Sequence, residues 1–132
     1  MYFYDLQTTE QGTYIVIHSE KGISKLFFSK TIPKFPHKKI DIYKSKLDMQ
    51  GTPFQKKVWS SLLKIPKGKI KTYSEVARMI GRPTAVRAVA SAIAKNEIGI
   101  LIPCHRVVPS TGGIGKYRWG SKIKEKLLNS EK

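Results

Sequence analysis

At Gly51 the sequence changes its periodicity, and no other feature restricts the fold of this chain as much. Before that point the apolar residues come in short β-branched and aromatic runs, Thr13-Tyr-Ile-Val-Ile-His18 and Gly22-Ile-Ser-Lys-Leu-Phe-Phe28. Ser19-Glu-Lys-Gly22 separates them, so a hairpin is expected within an extended first 30 residues. From Lys30 to Asp48, lysines alternate with isolated apolar residues around Pro33 and Pro36, which reads as a covering loop. After Gly51 the signals are helical. Thr52-Pro53-Phe54-Gln55 combines an N-cap, a proline at the first helical position and a capping-box glutamine. Phe54, Val58 and Leu62 then share one face until Ile65-Pro66-Lys67-Gly68 ends the helix.

Thr72-Tyr73-Ser74-Glu75 is a second capping box, opening a short helix that Gly81 and Pro83 close. Thr84 is expected to cap a third helix running to about Lys95. The Gly81-Arg82-Pro83 joint between the two suggests a helix-turn-helix. Ile98 to Pro103 reads as a short buried stretch, Gly112-Gly113-Ile114-Gly115 as a loop, and Ser121 to Asn129 as a last helix. The expected fold class is α/β, more narrowly α+β: a small antiparallel sheet in a domain over residues 1–48, then a mainly helical domain over 49–132.

Charge narrows the partner. With 25 Lys and Arg against 9 Asp and Glu, the chain carries a formal charge of +16, spread along most of its length. Such an excess points to a polyanion, and nucleic acid fits better than an anionic membrane surface. No run of 18 apolar residues exists, and the N-terminus lacks the plan of a secretion signal, so the expectation is a cytoplasmic, nucleoid-associated monomer with no membrane partner. A single cysteine excludes an internal disulfide and a cysteine-based zinc site.

That cysteine, Cys104, is therefore a core filler or a reagent. His105 and Arg106 follow it directly, and a neighbouring imidazole and guanidinium both favour the thiolate that attacks carbon. Adjacent side chains diverge in an extended chain, so His105 is expected to reach the thiol through a tight turn or a bridging water.

Pro103-Cys104-His105-Arg106-Val107-Val108 resembles the active-site signature of the O6-alkylguanine-DNA alkyltransferases. Gly51-Thr-Pro-Phe-Gln-Lys-Lys-Val-Trp59, Ile65-Pro-x-Gly68, Thr72-Tyr73, Arg87-Ala-Val89, Asn96 and Gly115-Lys-Tyr-Arg-Trp-Gly120 follow in that family's order and spacing. The resemblance covers residues 51 to 132. It implies direct, single-turnover transfer of an alkyl group from guanine O6 to Cys104 without a cofactor, with O4-alkylthymine left open as a second substrate. It also implies that His105 takes the thiol proton through a water, oriented by Glu131, while Tyr73 protonates the leaving base and Asn96 ties the turn before the cysteine.

The same resemblance implies DNA docking in the minor groove with the damaged base flipped out. Arg87 would fill the gap, and Tyr73, Thr84, Ala85, Ala88 and Arg106 would contact DNA. Val107, Gly115, Tyr117, Arg118 and Trp119 would line the base pocket, with Arg118 and Trp119 narrowing it. Taken alone, Arg87 reads as a solvated charge and the alanines as core. Some members hold a structural zinc in the N-terminal region. Here only His18 and His37 are available, so no metal is expected. Two other readings stand beside the enzyme. One is a lesion binder like the alkyltransferase-like proteins, which carry tryptophan at the position of Cys104; the other is a helix-turn-helix regulator.

Overall fold

A computed structural model describes residues 1–132 and divides the chain into two compact units. The first comprises Met1–Gln50 together with Glu97–Leu101, and the second Gly51–Asn96 and Ile102–Lys132. The return of Glu97–Leu101 to the first unit is a feature that a boundary at residue 48 does not contain.

The first unit is a three-stranded antiparallel sheet of β1 (Phe3–Thr9), β2 (Gly12–Ser19) and β3 (Gly22–Phe28), in that order. The expected hairpin is β2–β3, with a register shift between Ile17 and His18. Strand β1 lies in the stretch expected to be extended but was not singled out, because its exposed residues Leu6, Gln7 and Thr8 show no alternation of apolar and polar types. Tyr14 to Ile17 on the central strand are all buried, so both faces of β2 are covered. Neither edge of the sheet is left bare. Tyr4 exchanges backbone bonds with Pro36 and Lys38, while Ile23 bonds Lys46 and Asp48. Leu26 bonds Glu97 and Gly99. Pairing both edges removes the exposed ladder that would otherwise template aggregation.

In the second unit, α1 (Pro53–Leu62) starts at Thr52 and α2 (Tyr73–Met79) at Thr72, each with both capping-box bonds formed. The third helix, α3 (Val86–Ala94), begins later than Thr84. Ala85 occupies the N-cap without a side-chain cap, because residues 82–85 form a turn closed by the Ala85 N–H on the Arg82 carbonyl. Val58, Leu62, Ile65, Val76, Val89, Ile93, Ile102 and Leu127 form the core. The Trp59 indole N–H donates to the Ala92 carbonyl at 2.8 Å and locks α1 to α3. A two-residue parallel ladder joins β4 (Lys71–Thr72) to β5 (Val107–Val108). Since β4 leads straight into Tyr73 and β5 follows the Cys104 turn, this short ladder positions both segments. Helix α4 (Ser121–Ser130) finishes the unit.

Candidate active site

Pro103 presents the cysteine. Its φ of −78° and ψ of 60° form an inverse γ-turn, in which the Cys104 N–H donates to the Ile102 carbonyl at 2.7 Å. A single 3-10 turn over Cys104–Arg106 then sends the three successive side chains in different directions. Cys104 is buried at 4% exposure, and the Asn96 side-chain amide, just past α3, donates to its Sγ and to the Ile102 carbonyl, each at 3.4 Å.

Behind the thiol lies a charged relay. His105 is fully buried, and its Nε2 meets Glu131 Oε2 at 3.0 Å. Arg106 grips the same carboxylate with Nε at 3.0 Å and Nη2 at 2.7 Å, and its Nη1 donates to the Ile65 carbonyl at 2.8 Å. Burial alone would raise the Glu131 carboxyl, but hydrogen bonds from Arg106 and His105 outweigh it and hold Glu131 below the usual range. An ionised carboxylate only accepts, so the proton belongs on His105 Nε2 and the lone pair on Nδ1, which is buried without a protein partner. Burial also lowers the His105 pKa against the pull of Glu131, keeping the imidazole neutral at pH 7. The resting pair is thus a thiol and a neutral base, because burial pushes the Cys104 thiol up despite the Asn96 hydrogen bond and the Lys124 charge.

In front of the thiol is a cavity of about 640 Å³ with Cys104 on its wall. Ala90, Ile93 and Ala94 of α3 form one side, Pro109 and Gly115 to Arg118 another, and Tyr73 at the head of α2 a third. Gly115 has φ of +76°, and a Cβ there would lie 2.7 Å from Pro109, so the loop closes this tightly only with glycine. Burial raises the Tyr73 and Tyr117 hydroxyls, and proximity to Cys104 adds to the effect. Both stay protonated.

The structure therefore brings Cys104, His105, Glu131, Asn96 and Tyr73 to one place. Glu131 is fixed although it is the penultimate residue. Gly115, Tyr117 and Arg118 stand on the cavity wall, but Val107 and Trp119 do not. Val107 is a fully buried core residue, and Trp119 packs edgewise behind Tyr117 at 5.3 Å. Arg106, expected at DNA, is instead turned inward, its guanidinium occupied by Glu131 and Ile65. Arg87, Ala88 and Thr84 are exposed and Ala85 is half-buried, all at the start of α3, while Ala92 faces the core. Sequence reasoning missed Lys124, which is fully buried in the midst of the exposed lysines of α4. Its neighbours Lys122 and Lys126 look identical in composition.

Fold and geometry together define a protein organised around one enclosed thiol, with a neutral base and a carboxylate behind it. Comparison with known proteins agrees. Residues 53–132 match the model of the 6-O-methylguanine DNA methyltransferase DNA-binding domain. A methylated-DNA–protein-cysteine methyltransferase of Methanosarcina barkeri is 38% identical, over 98% of this chain and 96% of its own length. The regulatory protein ada of Salmonella typhimurium is 52% identical over 64% of the chain, which spans only 24% of that larger relative. The crystal structure of Mycobacterium tuberculosis OGT in complex with DNA superposes with a TM-score of 0.87 at 28% identity, covering 98% of this chain and 92% of the other. This chain belongs to the 6-O-methylguanine DNA methyltransferase family.

Proposed function

We propose that the chain repairs DNA by moving an alkyl group from O6 of guanine onto Cys104, irreversibly and once per molecule. The observation that carries this reading is the position of the one cysteine, facing a cavity large enough for a base with the His105–Glu131–Arg106 relay at its back. In the transfer, the thiol proton passes through a water to His105 Nδ1. The sulfur then attacks the alkyl carbon, the carbon–O6 bond breaks, and its electron pair leaves with the guanine. Tyr73, still a phenol, donates the proton that the departing base requires. The resulting thioether is a poor leaving group, so the alkyl group stays on the sulfur.

Base access follows from the burial of the thiol. A guanine O6 inside a duplex cannot reach it, so the nucleotide must turn out of the stack into the cavity. The exposed start of α3 supports docking in the minor groove, where small side chains at Ala88 and Ser91 allow close approach and Arg87 fills the vacated position. On this reading α2 and α3 act as a helix-turn-helix in a cytoplasmic monomer. Arg106 acts within the relay rather than on DNA.

Counting lesions tests the proposal. With a duplex holding one O6-methylguanine in excess, repaired sites should rise to one per protein molecule and stop. The Cys104→Ser variant should repair none while still binding the duplex. Continued turnover, or repair by the serine variant, contradicts the reading.

A further inference from the structure

The sheet unit divides its charge unevenly. Residues 30–46, the strap expected as a covering loop, hold Lys30, Lys34, Lys38, Lys39, Lys44 and Lys46 against Asp41 alone, a formal charge of +5. The rest of that unit has two lysines and five carboxylates, a formal −3. All six strap lysines are exposed, and none lies within ion-pair distance of a carboxylate. Covering a sheet requires apolar residues against it and has no use for five surplus charges that repel one another.

The strap is also held in place. Pro36 and Lys38 bond Tyr4 at the β1 edge and Lys46 bonds Ile23 at the β3 edge, so the residues between cross one face of the sheet. Ile42 is buried at the crossing. The Asp5 carboxylate accepts the Ile40 N–H and meets His37 Nε2, each at 3.1 Å, and the His18 ring bonds the Lys38 carbonyl at 2.9 Å. Lys38 itself lies over the Phe3 ring at 4.9 Å. Lys39 and Lys44 have no such contact, and Tyr43 beside them is 81% exposed. Ile32 and Phe35 add further exposed apolar surface.

A fixed row of unpaired lysines with apolar side chains among them fits a polyanion. A second copy of this chain, itself at +16, would be repelled. An anionic membrane offers the same charge as nucleic acid, but residues 53–132 of this chain already match a DNA-binding domain.

We propose that the strap is a second DNA-contact surface, on the sheet unit, in which Lys39 and Lys44 on either side of Tyr43 bind backbone phosphates. Phosphate contacts carry no sequence information, so the strap adds affinity for any duplex, damaged or not. The inference goes beyond the repair reading and stands whether or not an alkyl group reaches Cys104.

Fluorescence anisotropy of the full chain with a labelled duplex that carries no lesion, titrated from about 50 to 200 mM salt, tests it. Each lost phosphate contact lowers the slope of log K against log salt by about 0.9, so Lys39→Gln with Lys44→Gln should reduce it by about two. Lys39→Arg with Lys44→Arg should keep the slope. Lys21→Gln with Lys25→Gln, which removes the same charge from outside the strap, should change it by less than half as much. An unchanged slope in the strap glutamine variant, an equal loss in the Lys21 and Lys25 variant, or an arginine variant as impaired as the glutamine one overturns the proposal. So does a strap glutamine variant that keeps its DNA slope and instead loses binding to phosphatidylserine vesicles. Failure of the repair reading alone looks different, with the slope reduced as expected and no methyl taken from a damaged duplex.

Discussion

The two units differ in what their buried polar groups are left free to do. In the first, His18 and Ser24 are the buried polar side chains, and each ends on a backbone carbonyl, of Lys38 and Ile17 respectively. In the second, Ser61 and Lys124 also end on backbone carbonyls, but Asn96 donates to the Cys104 sulfur and His105 Nδ1 is buried with no hydrogen-bond partner. Satisfied polar atoms in a core stabilise a fold. Unsatisfied ones cost about 1–3 kcal/mol each, and a molecule retains them where the free valence has a use. The sheet unit is built for stability, and the helical unit gives up some stability to keep a base and a thiol available.

The largest effect expected from this contrast is in the sheet. Ile15→Ala removes a side chain that is 1% exposed and should cost about 3 kcal/mol in denaturant unfolding, while repair by the folded fraction keeps its rate. A changed rate would break the separation between the units. Glu131→Gln should do the reverse. It leaves Arg106 without its anion and His105 facing a neutral amide in place of a carboxylate, slowing single-turnover repair about a hundredfold, with a smaller loss of stability.

Acid should act on the helical unit in both respects. The folded pKa of His105 lies below its ordinary 6.5, so between those values the unfolded chain binds more protons, and stability falls as pH drops below 6.5. Protonation also removes the base, so repair rate falls in the same direction. Glu131, held below its ordinary 4.5, extends the loss of stability to lower pH as its carboxylate is protonated. Unfolding curves and repair rates measured from pH 8 to pH 4 check the sign. Replacing His105 with glutamine should flatten the upper part of the stability profile. The smallest effect belongs to Thr72→Ala, which removes the oxygen that accepts the Glu75 N–H at 3.1 Å. About 1 kcal/mol of stability should be lost, with a modest fall in rate as the helix start carrying Tyr73 loosens.

How much of this was legible follows the range of the interactions. The capping boxes at Thr52 and Thr72 act within four residues, so they could be read from the chain and the helices begin there. Strand β1 is held by pairing with β2 and by bonds from Tyr4 to residues more than thirty positions away, and its mixed side chains do not announce it. The start of α3 moved because a turn over residues 82–85 took the place of a Thr84 cap. At the site, Cys104 and His105 were marked by their adjacency and by family resemblance. The inward turn of Arg106 depends on Glu131, 25 residues on, and on the Ile65 carbonyl, 41 residues back. The burial of Lys124 is invisible in a run where every second residue is lysine.

The central claim is that one sulfur, that of Cys104, receives the alkyl group. Peptide mass mapping after incubation with duplex containing O6-methylguanine tests it most directly. The account predicts a mass gain of one CH2 group on the peptide holding Cys104, located at that residue by fragmentation and equal in amount to the lesions lost. Lesions lost with that peptide unchanged, or a methyl group found on any other residue, would contradict it.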